Sequence, residues 1–100
     1  MKILAIERDV PAIDDHAYTP ELLHAEAQRA WELYQAGVVR ELYFRTDRTE
    51  AVIMLECASV EQAAAALDSL PLVQAGLVAF DLIPLKAYPG FARLFGGDHA

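Results

Sequence analysis

Along this chain the spacing of apolar residues switches between a period of about two and a period of about 3.6, and the order of those switches constrains the fold most. Lys2 to Arg8 is a short Ile/Leu-rich run that ends at Asp9-Val10-Pro11, the pattern of a strand running into a polar loop, Asp9 to Tyr18. Thr19 then precedes Pro20 and Glu21: an N-cap hydroxyl, a proline at the first helical position, and an acid beside the positive end of the helix dipole. The helix this predicts runs to Gln35 or Ala36 and stops at Gly37. From Val38 to Arg45 the period drops to two, Thr46 to Thr49 are turn residues, and Ala51 to Cys57 is again aliphatic, which predicts an antiparallel hairpin. Ser59 and Gln62 form a capping box ahead of Val60, Ala63, Ala64, Leu67 and Leu70, so a second helix precedes Pro71. A last apolar run, Leu77 to Leu85, is a fourth strand.

Strand, helix, strand, strand, helix, strand is the split βαβ order of an α+β, ferredoxin-like domain: four antiparallel strands with both helices on one face. At 100 residues there is room for one such domain, residues 1–100, with 87–100 as a tail carrying Phe91, Leu94 and Phe95. A content of 55% hydrophobic residues excludes a disordered acidic chain. The net charge of −7 disfavours phosphate backbones and anionic membranes, so neither nucleic acid nor membrane is an expected partner. Met1 to Asp9 is too short and too soon charged for a signal peptide, and no apolar run reaches the roughly 18 residues of a membrane span. The expected location is the cytoplasm.

Helices on one face leave the other face of the sheet to be explained. In strand three Val52 and Met54 alternate with Ile53 and Leu55, and in strand four Leu77, Ala79 and Ile83 alternate with Val78, Phe80 and Leu82. Both faces are apolar, whereas a solvated antiparallel sheet has a polar one. The economical solution is a homodimer in which two sheets pack face to face, a dimeric α/β barrel, or a larger homo-oligomer built from such dimers.

At about 100° per residue the first helix collects Leu22, Leu23, Ala27, Ala30, Trp31, Leu33 and Tyr34 in one arc. Glu26 falls inside that arc. Burial raises a carboxyl's pKa toward the range useful for proton transfer at neutral pH, which makes Glu26 the leading candidate base; the competing reading is a structural ion pair. His24, at the margin of the arc, is a candidate second proton-transfer group. On strand two, alternation groups Arg40 with Val38, Leu42 and Phe44 and sets Glu41, Tyr43 and Arg45 opposite. Arg40 in an apolar setting needs a carboxylate partner, either Glu26 or an acidic ligand. Trp31, Tyr34 and Tyr43 complete the candidate substrate-binding set, and Glu7 and Glu56 rank behind Glu26 because strand ends often reach water.

Other chemistries find no residues here. Cys57 is a lone cysteine, best read as a small apolar strand-end residue. His16 beside Asp14 and Asp15, and His99 near the terminus, do not form a metal-ligand pattern. There is no glycine-rich phosphate loop and no G-x-S-x-G elbow. An acid, an arginine and aromatic rings around a small apolar cavity suit proton transfer without a cofactor or metal.

The run from about His24 to Pro89 resembles the muconolactone isomerase family of dimeric ferredoxin-like barrels. The resemblance is carried by Glu26 on its helix, Gly37, Arg40, Leu42 and Tyr43, and most closely by ASVEQAAAALDSLPL, Ala58 to Leu72. It implies an isomerase of aromatic-compound breakdown that moves a proton within a small unsaturated lactone carboxylate, with Glu26 as base and Arg40 as anchor. Where the family's second strand is rich in tryptophan and histidine, this chain has Val39, Glu41 and Tyr43. Two alternatives stay open: a cofactor-independent monooxygenase on the same fold, and a non-catalytic ligand-binding or assembly module in which Glu26 and Arg40 merely pair.

Overall fold

In the computed structural model, which describes residues 1–11 and 15–96, the chain runs β1 (Lys2–Arg8), α1 (Pro20–Gln35), β2 (Val39–Phe44), β3 (Ala51–Glu56), α2 (Val60–Asp68), α3 (Pro71–Gln74) and β4 (Ala79–Pro84). The strands form one antiparallel sheet in the order β2-β3-β1-β4, the ferredoxin-like arrangement with β1 and β3 at its centre.

The helix ends follow from local chemistry. Thr19 Oγ1 accepts from the Leu22 amide at 3.2 Å, and Gly37, at φ +79°, closes α1 in the left-handed region. Ser59 Oγ accepts from the Gln62 amide at 3.1 Å, while Gln62 Oε1 reaches back to the Ala58 amide rather than to Ser59 itself. Pro71 both ends α2's stretch of chain and opens α3, a short helix the sequence pattern did not separate from the loop.

Register then decides which residues face the helices. Ile3, Ala5, Ile53 and Leu55 lie opposite one another and are buried against α1 and α2, with Leu33, Ala63, Leu67 and Leu70 completing the core. The other face carries Leu4, Ile6, Val52 and Met54, with Ile83 from β4 and Tyr43 from β2, and the Arg8–Asp81 ion pair at its edge. That face is apolar at its centre, as the alternation predicts.

One expectation about strand two is corrected. A bulge at Arg40 sets Val39 opposite Leu55 and Glu41 opposite Met54, so the alternation slips by one residue. Val39, expected on the far face, is 2% exposed beneath the helices, and Leu42 and Phe44 share its face but stay exposed toward the strand's end. Arg40 itself is left outside the alternation and exposed, its Nε donating to the Gly37 carbonyl at 2.7 Å. Beyond β4, Gly90–Phe95 forms a 3₁₀ helix in which Phe91, Leu94 and Phe95 are exposed. His99 and Asp14 lie outside the described residues.

Candidate active site

The inward positions of α1 are Leu22, Glu26, Arg29, Ala30 and Leu33, a stripe at helical spacing with a carboxylate at its middle. The stripe is rotated from the expected arc: Leu23, Trp31 and Tyr34 remain about half exposed, while Arg29 turns toward the end of α2. Arg29 Nε donates to Ser69 Oγ at 2.8 Å and its NH1 to Glu32, so this guanidinium is occupied away from Glu26.

What holds Glu26 is α3. The first amides of a helix have no intrahelical partner, Pro71 has no N–H, and Leu70 at the N-cap has no side-chain oxygen to offer. Glu26 Oε1 takes the Leu72 amide at 2.9 Å, capping α3 from another element. Its Oε2 makes no hydrogen bond to a described residue. The pairing with Arg40, one of the two partners considered for that arginine, does not form: the β2 bulge carries Arg40 away from the core.

Beside Glu26 lies a cavity of about 380 Å³ between α1 and the sheet, a size that suits a small ligand. Its walls are almost wholly apolar, with Leu23, Leu33, Ile53, Leu72 and Phe80 among them, and among the described residues its carboxyls are Glu26 and Glu7. Glu7 shares the helix-facing parity of Ile3 and Ala5, and its Oε1 accepts from the Ala51 amide at 2.9 Å. In-phase placement with two buried residues was the sequence signal that ranks Glu7 higher than a strand-end position suggests. Burial pushes the Glu26 carboxyl above its ordinary pKa; the Leu72 amide opposes this, and the negative Glu7 adds to it.

A second hollow opens outward from the first and shares Ala27, Ala30, Val39, Leu42 and Tyr43 with it. This hollow is lined by Arg40, Trp31 and Tyr34, and along edge strand β2 by Tyr43, whose register sets its side chain with Glu41 toward the open face. The Trp31 and Tyr34 rings stack with centroids 5.6 Å apart, and the Tyr43 hydroxyl donates to Glu41 at 2.8 Å. The site thus has an inner acidic chamber and an outer aromatic hollow holding the arginine. His24 belongs to neither: it is exposed on the flank of α1 and lines no part of the two cavities, since two residues along a helix rotate a side chain well away from Glu26.

Among the described residues no group of three or more His, Cys, Asp and Glu side chains is placed to hold a metal ion, and no helix is long and apolar enough to cross a membrane. Cys57, just past β3, is partly buried, and burial raises its thiol pKa, which disfavours the thiolate.

Fold and site together define an α+β ferredoxin-like sheet with a ligand-sized chamber under its first helix. The fold is shared with muconolactone isomerase, whose crystal structure superposes with a TM-score of 0.73 over 100% of this chain and 97% of that one at 21% identity. The 5-chloro-2-hydroxyhydroquinone dehydrochlorinase of Burkholderia phenoliruptrix AC1100, solved in complex with 2,5-dihydroxybenzoquinone, matches with a TM-score of 0.63 over 90% of this chain and 98% of that one at 17% identity. No family model and no curated protein sequence matches the chain.

Proposed function

We propose that the protein is a cofactor-free isomerase in which Glu26 moves a proton within a small unsaturated lactone or carboxylate. The observation that carries this reading is a half-buried carboxyl, pinned by one oxygen to the Leu72 amide, beside an apolar chamber of about 380 Å³. Ionised Glu26 removes a proton from the carbon next to the substrate carbonyl, giving a dienolate and a protonated carboxyl. The carboxyl returns the same proton at the conjugated end, so the double bond migrates and the enzyme is restored. Apolar walls keep water from competing for the proton. Arg40, with Trp31, Tyr34 and Tyr43, forms the outer part of the substrate site. The fold shared with muconolactone isomerase supports the same reaction class.

Assembly is part of the proposal. The apolar centre of the open sheet face, Leu4, Ile6, Val52 and Met54, packs on a second copy to give a dimeric barrel, and the setting is cytoplasmic. Double-bond migration in unsaturated lactones, followed by proton NMR, tests the chemistry: wild type turns over and Glu26→Gln does not. Equal rates for the two proteins remove the proposed base. The aromatic hollow supports a second reading, a cofactor-independent monooxygenase acting on a flat ring, which oxygen uptake with a quinol distinguishes.

A further inference from the structure

Two features of the chamber restrict what can enter it. Its charged side chains, Glu26 from α1 and Glu7 from β1, are both acids. Among the described residues the cation lining the two hollows, Arg40, lies in the outer one, tied through Nε to Gly37. An anion placed in the chamber meets like charges behind apolar walls, where screening by water is weakest. Each carboxylate spends one oxygen's lone pair on a backbone amide, Glu26 on Leu72 and Glu7 on Ala51, and each keeps further acceptor capacity. Acceptors of this kind are satisfied by a ligand that donates. Glu26 is engaged in proton transfer, which leaves Glu7 to read the ligand.

We propose that Glu7 is a specificity-determining residue: it bars anionic groups from the chamber and accepts a hydrogen bond from an uncharged donor on the ligand's ring, so that any carboxylate the substrate carries stays outside, beside Arg40. The inference rests on the chamber being the substrate site of the proposed isomerisation. It adds a direction of entry, ring inward and anion outward.

Three para-substituted benzenes of similar shape test it: 1,4-benzenedimethanol, 4-(hydroxymethyl)benzoate and terephthalate. Their affinities for the full chain are measured at pH 8 by ligand-detected NMR. Terephthalate must place one carboxylate in the chamber, whereas the hydroxy acid can place its alcohol there and its anion at Arg40. The diol and the hydroxy acid are expected to bind, with terephthalate at least about tenfold weaker than the diol. Glu7→Gln keeps an oxygen for the Ala51 amide, so it melts with wild type while narrowing that gap to about threefold or less. Arg40→Ala weakens the hydroxy acid about fivefold relative to the diol.

Failure of the diol to bind, equal binding of terephthalate and diol, or an unchanged gap in Glu7→Gln overturns the proposal. An unchanged ratio in Arg40→Ala overturns the outward placement of the anion. These outcomes are separable from the reaction itself. If ligand discrimination follows Glu7 but no lactone is turned over, the isomerase reading fails alone; if Glu26-dependent turnover persists without discrimination, the role of Glu7 fails alone.

Discussion

Replacing Glu26 by Gln and, separately, by Ala divides the two things this side chain does. Its Oε1 holds the Leu72 amide at 2.9 Å, a donor that the N-cap residue of α3 does not cap with its own side chain. Gln keeps a carbonyl oxygen at the same reach, so the amide stays paired. Exchanging a charged acceptor for a neutral one weakens that bond by about 1 kcal/mol. Relief of a buried charge facing Glu7 opposes the loss. The net change is expected within about 1 kcal/mol, which in a 100-residue chain corresponds to a melting shift of no more than about 4–8 °C. Ala removes the acceptor and strands the Leu72 N–H, costing about 1–3 kcal/mol, and it melts clearly below Gln. Both variants lose the general base, worth about 10²- to 10⁴-fold in rate. Circular-dichroism melting together with lactone turnover reads both effects. A Gln variant that turns over substrate at the wild-type rate, or that melts as low as Ala, refutes the reasoning.

Other perturbations follow from single features. Because Glu26's pKa is raised in the folded chain, its protonated form stabilises the fold; that stability is fully present below the ordinary glutamate value of 4.5 and is lost as pH rises through the raised one. Urea unfolding across that range should show wild type losing stability relative to Glu26→Gln as pH increases. Gly37→Ala forces a β-carbon into φ +79° and should cost about 1–2 kcal/mol, measured by the same unfolding assay. Met54→Lys puts a charge on the apolar open face, and sedimentation should show wild type as the proposed dimer and the variant as monomer, with the circular-dichroism spectrum retained.

Local rules carried most of the architecture. Thr19, Gly37 and Ser59 mark helix ends through their own hydrogen bonds or backbone angles, so the boundaries of α1 and α2 were readable one residue at a time. Glu26 was readable as an inward acid because it shares helical phase with Leu22, Ala30 and Leu33. Its partner was not, since the Leu72 amide lies 46 residues away and belongs to a helix that Pro71 seemed only to end. The β2 bulge was harder to read: adjacent Val38 and Val39 and a charged Arg40 on the apolar face depart from alternation, but the slip shows only in the pairing with β3 and the Arg40–Gly37 bond. That one-residue shift moved Arg40 from the expected core to the outer hollow and buried Val39 in its stead. The rotation of α1 was lost for a related reason. Helical periodicity gives a stripe, but which edge of it turns inward depends on tertiary partners such as Ser69, which takes a hydrogen bond from Arg29.

A carbon-13 titration of the Glu26 side-chain carboxyl in the full-length protein, assigned through Glu26→Gln, addresses the proposed base at its source. The desolvated chamber predicts a midpoint above that of an ordinary glutamate, moving downward in Glu7→Gln as the neighbouring negative charge is removed. A midpoint at or below 4.5, or one indifferent to Glu7, contradicts the account of a proton-transfer group held in an apolar acidic site.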